Sequence, residues 1–582
     1  MKRFIHELQR RNVIKSAISY IVFSWVLIQI ASILYPSIGW EQNAINNTLI
    51  VLIIGFPVWI VFAYVFEWTP TGFKKTEDVA EETSIAKTTS KKLNGIIVAG
   101  MTLAILLLVA DRIFNFTGAN QSGFDYDKSI AVLAFADMSP NKDQEYFSDG
   151  ISEEILNLLA KIPDLKVISR TSSFSYKGKK INIKKIGDEL QVAYVLEGSI
   201  RKSGNTFRIT AQLINVSDGA HVWSGTYDRD MTDIFKTQDE IAATVTQQLK
   251  SKLFGEAIQS KTVDPEAYNL YLQAKQVFRQ TTAESTKNAE LLLHQSIAID
   301  STYAPAWEML AATIYSKAYR YTLISFDEGQ SVGIAYAQKA ISLDPNYAEA
   351  YTQLARFQRY SRDFKSANVN MKKALALEPN NVGVISAAAS NTMELGKMEE
   401  AITLVLKASE LDPLNYTSSF NLALYYSMVK QYDKAVRYIQ SFLLNYPNAA
   451  GGRGLYARIL LGQGDKAEAL IELEKEVNVF WKLYFQCMVI YATGNTKEAN
   501  NLLDQLVKDW GDAAWPNIAS VYAYMGEKDE AFKWLDLAYD NNHGALLEIL
   551  NYAEFENLWG DPRWNAFINK LGLPKDHGFH LD

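Results

Sequence analysis

Cysteine is almost absent from this chain, since Cys487 is the only one among 582 residues. A single cysteine excludes an intrachain disulfide and a thiolate metal site, so we expect Cys487 to be a buried and unreactive thiol. The six histidines are scattered, and neither an HExxH motif nor a GxxxxGK(S/T) phosphate loop occurs. His577 and His580 lie in a polar tail that is expected to fray. The sequence therefore predicts no metal site, no cofactor and no catalytic site.

Positive charge is also scarce. Lysine and arginine number 58 against 65 acidic residues, which gives a formal net charge of −7. A protein that binds nucleic acid normally presents a basic face to the phosphates, so no nucleic-acid partner is expected. Hydrophobic residues make up 48% of the chain, an ordinary share for a folded protein. A chain of this length is expected to contain several structural units.

Three long apolar stretches lie in the first 116 residues, at about 13–35, 48–66 and 93–114. Each is long enough to cross a hydrocarbon core, which needs about 20 helical residues. The sequence therefore predicts a membrane module over residues 1–116 with three transmembrane helices. The first stretch contains polar residues such as Lys15 and Gln29. An alternative is that it lies in the membrane interface, which would leave the carboxy-terminal part in the cytoplasm.

Basic residues cluster before the first stretch and in residues 67–92, whereas residues 36–47 have none. Because positively charged loops stay on the cytoplasmic side, this pattern predicts a cytoplasmic amino terminus. Three spans would then place everything after about Asn115 in the periplasm, with the chain held in a bacterial inner membrane. The polar segment 67–92 is predicted to be a flexible cytoplasmic connector.

Residues 128–254 combine strand and helix patterns. Residues 129–136 form a short apolar run that is typical of a buried strand, and apolar residues recur at helical spacing from Phe147 to Ile162. Two turn signals, at 203–205 and 217–219, separate three further strand-like segments. We expect a small α/β domain. Its residues 148–150, Ser-Asp-Gly, are expected to cap a helix, with an anion-binding helix start as the alternative.

Several segments of this region resemble the TolB amino-terminal-like domain that precedes tetratricopeptide repeats in many bacterial proteins. In order they are Ser129-Ile-Ala-Val-Leu, Glu145-Tyr-Phe-Ser-Asp-Gly-Ile-Ser-Glu-Glu, Val167-Ile-Ser-Arg-Thr-Ser-Ser-Phe, Tyr194-Val-Leu-Glu-Gly-Ser-Ile-Arg and His221-Val-Trp-Ser-Gly-Thr-Tyr-Asp-Arg. The resemblance implies a small α/β domain with no known catalytic role. In that family it often follows a nucleotide cyclase, kinase or winged-helix domain, where this chain has the three apolar stretches.

A proline returns every 34 residues in the carboxy-terminal half, at Pro345, Pro379, Pro413 and Pro447. Alanines keep the same step, at Ala355, Ala389 and Ala423. A fixed 34-residue period, with small residues where helices cross and a proline that ends a helix, is typical of stacked helical hairpins. The pattern resembles the tetratricopeptide repeat. It predicts an all-α superhelix over residues 263–582 whose partners are other proteins or peptides.

The period is not uniform along the array. Ala311 precedes Ala355 by 44 residues, and the ten extra residues are expected in the turn of that hairpin, around Tyr319 to Glu328. The copies become less regular beyond Pro447. We expect about eight repeats, with Trp559 and Trp564 as contacts that cap the end of the array.

The first helix of each hairpin lines the concave face in the family that the array resembles. On this basis the candidate partner-binding groove contains Arg356, Arg359, Tyr360, Ser390, Met393 and Phe420. Arginine beside aromatic residues can bind a carboxylate or an acidic segment of an extended partner. The alternative is that these six are ordinary solvated helix positions.

A non-catalytic role follows from these features, either as a protein-interaction scaffold or as an envelope sensor. A second hypothesis is a transmembrane signal transducer whose output passes through the cytoplasmic tail and residues 67–92. A nucleotide-cyclase-related enzyme is a more remote alternative.

Overall fold

The computed structural model describes residues 42–69, 72–75, 126–249 and 263–573, together with single helical positions between 13 and 28. Contacts divide the chain into two compact units, residues 1–122 and 123–582. The region predicted as the α/β domain and the region predicted as the helical array both belong to the second unit.

The first unit contains helix α1 (Gln42–Val65) and an antiparallel hairpin of strands β1 (Phe66–Thr69) and β2 (Gly72–Lys75). The Tyr20 hydroxyl donates a hydrogen bond to the carbonyl of Leu52 at 2.9 Å, so the segment around Tyr20 packs against α1. The hairpin occupies the start of the segment predicted as a flexible connector. The rest of that segment, residues 76–92, lies outside the described residues.

The prediction of three transmembrane helices is wrong for the residues that the structure describes, because none of their helices combines the length and apolar character of a membrane span. Helix α1 contains all but the last residue of the predicted second span, 48–66, and the apolar run of that span is interrupted by Pro57. The predicted span at 93–114 lies outside the described residues. The periplasmic placement stays a prediction from loop charge.

The second unit begins with a six-stranded mixed sheet. Strand β3 pairs in parallel with β5 and β6, β4 pairs with β6, and β6, β7 and β8 form two antiparallel hairpins. Gly204 and Gly219, the predicted turn glycines, adopt positive φ between these strands. The strands are β3 (Ser129–Val132), β4 (Ala136–Asp137), β5 (Lys166–Ile168), β6 (Tyr194–Ser203), β7 (Thr206–Asn215) and β8 (His221–Asp230).

Four helices accompany the sheet: α2 (Glu145–Ala160), α3 (Arg170–Phe174), α4 (Ile183–Leu190) and α5 (Ile234–Gln248). The prediction that residues 148–150 cap α2 is wrong, because α2 begins three residues earlier. Gly150 lies inside the helix, where an added Cβ would be 2.6 Å from a methyl group of Leu272. A close helix contact, not a helix end, therefore requires this glycine.

Sixteen helices between Pro265 and Asp540 form eight hairpins, as the period predicts. The pairs are α6 (Pro265–Phe278) with α7 (Ala283–Ile299), α8 (Ala304–Tyr315) with α9 (Phe326–Leu343), α10 (Ala348–Tyr360) with α11 (Phe364–Leu377), α12 (Val382–Glu394) with α13 (Met398–Leu411), α14 (Thr417–Met428) with α15 (Tyr432–Asn445), α16 (Gly452–Gln463) with α17 (Lys466–Glu474), α18 (Val479–Ala492) with α19 (Thr496–Trp510), and α20 (Trp515–Met525) with α21 (Lys528–Asp540).

The periodic residues stand where the pattern predicts. Helices α9, α11, α13 and α15 each end two residues before a periodic proline. The repeated alanines of the first helices are almost completely buried between neighbouring hairpins. The ten extra residues fall in the second hairpin, where a π-helical turn, Ser316–Arg320, and a short loop separate α8 from α9. Cys487 is fully buried in α18, and burial raises the pKa of its thiol to about 12.

The α/β domain and the array share one interface. Helix α2 packs against α6, and its buried Glu153 contacts Lys275 and Arg279 of α6. Burial disfavours the charge of Glu153, but Lys275, Arg279 and Arg170 still hold the pKa of this carboxyl at about 2. Because these opposite charges compensate each other out of water, the ion-pair cluster attaches the first hairpin to the domain.

The second contact of this interface uses the acidic residue that precedes a periodic proline. Asp412 is only 2% exposed, and its Oδ1 accepts hydrogen bonds from the backbone N–H and the hydroxyl of Ser172, at 3.1 and 2.6 Å. Ser172 lies in the first turn of α3. Asp412 therefore supplies from the array an acceptor for a free N–H at the start of a helix in the α/β domain.

Candidate functional site

The first helices of the hairpins form the inner face of the array, and most of them contact the first helix of the next hairpin. Ala355, Ala389 and Ala423 allow this close approach because they present no more than a methyl group. The six predicted groove residues lie on three of these helices, α10, α12 and α14. The structure thus places all six on first helices of three consecutive hairpins.

Arg359 is not available to an acidic partner. Its guanidinium forms a two-point ion pair with the carboxylate of Glu394, from Nε to Oε2 at 2.6 Å and from Nη2 to Oε1. Both side chains are buried. Burial opposes the charge on Arg359, but Glu394 raises the pKa of the guanidinium above its ordinary value. Arg359 therefore joins α10 to α12, and the Nε and Nη2 donors with which it could bind a partner's carboxylate are already bonded to Glu394.

Arg356 and Tyr360 belong to an aromatic cluster at the second and third hairpins. The Arg356 guanidinium lies 4.7 Å from the ring centre of Tyr315. The hydroxyls of Tyr315 and Tyr360 are 3.2 Å apart, and the rings of Tyr360 and Tyr319 are 4.3 Å apart. The extra turn that contains Tyr319 therefore packs on the inner face.

The chain itself covers the inner face. After α21, residues 544–555 form three short 3-10 turns that cross the first helices, and helices α22 (Glu556–Trp559) and α23 (Pro562–Leu571) follow. We call residues 544–555 the return segment. Its Gly544 lies so close to Tyr360 that an added Cβ would be 2.9 Å from a ring carbon. Its Asn551 donates to the carbonyl of Met393 at 2.8 Å.

The strongest contact of the return segment is a buried ion pair. Arg458 on α16 donates from Nε to Oε1 of Glu554 at 2.5 Å and from Nη2 to Oε2 at 3.0 Å. The two side chains are 10% and 6% exposed. Burial opposes the charge of Arg458, but Glu554 raises the pKa of the guanidinium above its ordinary value. The ring of Tyr552 lies 5.0 Å from this guanidinium.

Arg458 is the functional candidate that sequence reasoning missed. It stands three 34-residue steps after Arg356, in the same phase of the repeat as Ser390 and Leu424. The 34-residue period therefore indicated Arg458, but the predicted groove extended only as far as the fifth hairpin. Ser390 donates locally to the carbonyl of Ser386, so it makes no bond to the return segment.

An apolar cavity of about 210 Å³ lies beside the return segment. Phe420, the last predicted groove residue, contributes to its wall. The remaining wall consists mainly of Leu424, Leu455, Trp481 and Phe485 from the inner face and of Ala545, Ile549 and Phe555 from the return segment, with Arg458 at its edge. The arrangement can bind an apolar group next to a carboxylate.

Comparison with known proteins supports the repeat assignment. The family model described as tetratricopeptide repeat matches residues 430–477, which contain α15, α16 and α17. "Putative adenylate cyclase 3" of Rhizobium meliloti is 39% identical over 231 residues, and the match covers 39% of this chain and 39% of that protein. The chain thus spans about two fifths of that relative's length.

Two further likenesses have lower sequence identity. "Anaphase-promoting complex subunit 3" of Schizosaccharomyces pombe is 20% identical over 184 residues, 32% of this chain and 26% of that protein. A tetratricopeptide repeat protein structure from Parabacteroides merdae has a TM-score of 0.34 and 10% identity, and covers 46% of this chain and all of that one. The family model, which matches the fifth and sixth hairpins, is what supports the assignment of tetratricopeptide repeats to the array.

Proposed function

We propose that this protein is a non-catalytic protein-interaction scaffold in which a TolB amino-terminal-like domain is fixed to a tetratricopeptide array. The observation that carries the proposal is the interface between them. Asp412 bonds to Ser172, and Glu153 contacts Lys275 and Arg279. These contacts are polar and buried, so the two parts present their surfaces in one fixed geometry to a partner.

The buried charges of the array support a structural role rather than a catalytic one. Arg359 is paired with Glu394 and Arg458 with Glu554. A catalytic group needs a proton or charge that is available to a substrate, whereas these groups satisfy each other. The cyclase name belongs to a relative that this chain matches over part of its length, and we propose no such activity here.

Affinity purification of the full chain from its own cells, with cross-linking before lysis, tests the scaffold proposal. We expect the same protein partner in stoichiometric amount in repeated experiments, cross-linked to residues of the second unit. In a parallel activity assay, the purified chain is incubated with ATP or GTP and a divalent cation, and cyclic nucleotide formation is measured. Formation of a cyclic nucleotide, with no recovered partner, would replace the scaffold proposal by the cyclase alternative.

A further inference from the structure

The return segment lies on the inner face outside the repeat hairpins, and its Leu546, Ile549 and Phe555 are buried there. It is made of short turns instead of a repeat hairpin, and it places a carboxylate, Glu554, on the buried guanidinium of Arg458. A two-point bond between arginine and a carboxylate is selective for planar acidic groups. An unpaired Arg458 at this depth would be strongly disfavoured. The site therefore requires a carboxylate from whichever segment covers it.

The same segment fits the neighbouring apolar site poorly. The cavity of about 210 Å³ remains between Ala545 and Ile549 on one side and Trp481 and Phe485 on the other. An apolar cavity of about 150 Å³ is large enough for benzene. The space beside the return segment, which is partly open to solvent, therefore has room for an aromatic side chain.

Hydrogen bonding under the return segment is also incomplete. Oδ1 of Asn551 is buried and makes no hydrogen bond within the part of the chain that the structure describes, although Nδ2 of the same side chain is bonded to Met393. A buried acceptor without a donor destabilises the arrangement that contains it. A different peptide could cover Met393 without this cost.

We infer that the return segment is an internal ligand, and that the external partner of the array is a peptide segment that displaces it by presenting a carboxylate to Arg458 and an aromatic side chain to the adjacent cavity. This inference rests on the proposed scaffold function and specifies the partner's chemistry. The return segment and the external peptide both place a carboxylate on Arg458. Only the external peptide also places an aromatic side chain in the cavity, and this extra contact makes it bind more tightly than the return segment.

Synthetic peptides of residues 544–558 test the inference by fluorescence anisotropy with the full chain. Three labelled peptides are compared: the native sequence, the sequence with Ala545→Phe, and the sequence with Ala545→Phe and Glu554→Gln. We expect the Ala545→Phe peptide to bind at least about tenfold more tightly than the native one. The Glu554→Gln change should remove at least about tenfold of that affinity. Equal binding of the three peptides, or no binding of any, would overturn the inference.

Hydrogen exchange on the unmodified chain distinguishes displacement from binding elsewhere. Saturating Ala545→Phe peptide should speed exchange of the amides in residues 544–555, because the return segment leaves the inner face. Slower or unchanged exchange there, with binding intact, contradicts displacement. The scaffold proposal is tested separately, by recovery of a cellular partner. If such a partner is recovered but the peptide does not displace the return segment, this inference is rejected and the scaffold proposal stands.

A variant of the full chain provides a check that does not depend on added peptide. Ala545→Phe in the chain itself fills the cavity from inside, so it should raise the midpoint of thermal unfolding and weaken binding of the Ala545→Phe peptide at least about threefold. Glu399→Gln, at an exposed position of α13, is the matched control and should leave peptide binding unchanged. Unchanged peptide binding by the Ala545→Phe chain would contradict a shared site.

Discussion

Buried carboxylates in this chain face two kinds of neighbour. Glu394 and Glu554 each face a guanidinium. Glu349 instead faces the carboxylates of Glu378 and Glu308, and Lys161 only partly compensates them. The amide of Asn381 donates to Oε1 of Glu349, while Oε2 is buried without a bond among the described residues. Burial first, and then the two like charges, raise the pKa of Glu349 to about 8.

This carboxyl gives a prediction for stability against pH. Because folding raises its pKa from the ordinary 4.5, the neutral form is favoured in the folded chain. Its contribution to stability is complete below the ordinary pKa and is lost as the pH rises through about 8. Glu349→Gln stays neutral, so its thermal midpoint should fall several degrees less than that of the unmodified chain between pH 6 and 9. The exposed control Glu399→Gln should follow the unmodified chain, and parallel curves for all three would contradict the prediction.

A second prediction concerns the hydrogen bonds of Asp412. Asp412→Ala leaves the N–H of Ser172 buried without its acceptor, which should cost about 1–3 kcal/mol in denaturant unfolding. Asp300 stands at the corresponding end of the first hairpin, but its bonds go to Thr302 and Asp264 within the array. Asp300→Ala is therefore the matched control with a smaller loss. Equal losses would show that Asp412 acts only within its own hairpin.

Individual residues also show which contacts cannot be predicted from the sequence. The 34-residue step placed Arg356, Arg359 and Met393 on first helices of neighbouring hairpins, and these residues lie on α10 and α12. It could not reveal that Arg359 is occupied by Glu394 or that Arg458 pairs with Glu554, 96 residues away. Periodicity predicts which residues occupy equivalent helix positions, whereas the partner of a charge depends on which side chains meet in the folded chain, and for Arg458 that partner lies outside the period.

At the scale of elements, the turns inside the hairpins share one backbone requirement. Residues 362, 396, 430 and 464 follow the 34-residue step, and all four adopt positive φ. Gly396 and Gly464 do so without strain, whereas Arg362 and Lys430 carry side chains there. Arg362 donates to the carbonyl of Tyr539, and Lys430 forms an ion pair with Glu556. Both non-glycine turns thus contact the carboxy-terminal part of the chain.

Substitutions at these two turns should distinguish the cost of positive φ at a non-glycine residue from the benefit of its side-chain contacts. Lys430→Gly removes the positive-φ cost of about 1–2 kcal/mol and loses an exposed ion pair worth about 0–1 kcal/mol, so the thermal midpoint should stay or rise. Arg362→Ala keeps the strain and loses the bond to Tyr539 and the contact with its ring at 3.8 Å, so the midpoint should fall. A clear loss in Lys430→Gly would show that its ion pair outweighs the strain.

Element boundaries could be predicted where a local signal decides them. The prolines end helices by local chemistry, and the structure confirms those ends. The start of α2 was predicted three residues too late, because Gly150 reflects contact with Leu272 rather than a cap. The apolar run at 48–66 suggested a membrane span because its composition and its length of about 20 residues suit a crossing, and neither property shows where the helix that contains it begins and ends.

For the second unit as a whole, the predicted boundary between the α/β domain and the array is not a break in packing. One hydrophobic core contains Ile151 and Ile241 from the domain together with Tyr268, Leu272 and Leu310 from the first two hairpins. The sequence predicted both parts but not this shared core, because the apolar stripe of α6 does not reveal which neighbour covers it.

Truncation at that boundary tests the shared core. A fragment of residues 263–582 exposes Leu272 and the buried tyrosines of α6, so it should unfold at a lower temperature than a fragment of residues 123–582 and bind a hydrophobic dye. The longer fragment should unfold in one transition. Equal midpoints, without dye binding, would show that the array is stable on its own.

The return segment constrains how this protein can change in evolution. An open solenoid tolerates the gain or loss of a repeat, because each repeat contacts only its neighbours. Here the α/β domain holds the array at Lys275 and Asp412, while Glu554 reaches back to Arg458 and Asn551 to Met393. Duplication of one internal hairpin would move these pairs out of register together. Homologues should therefore vary in loops and termini while they keep eight hairpins, and an engineered ninth should be tolerated only beyond α21.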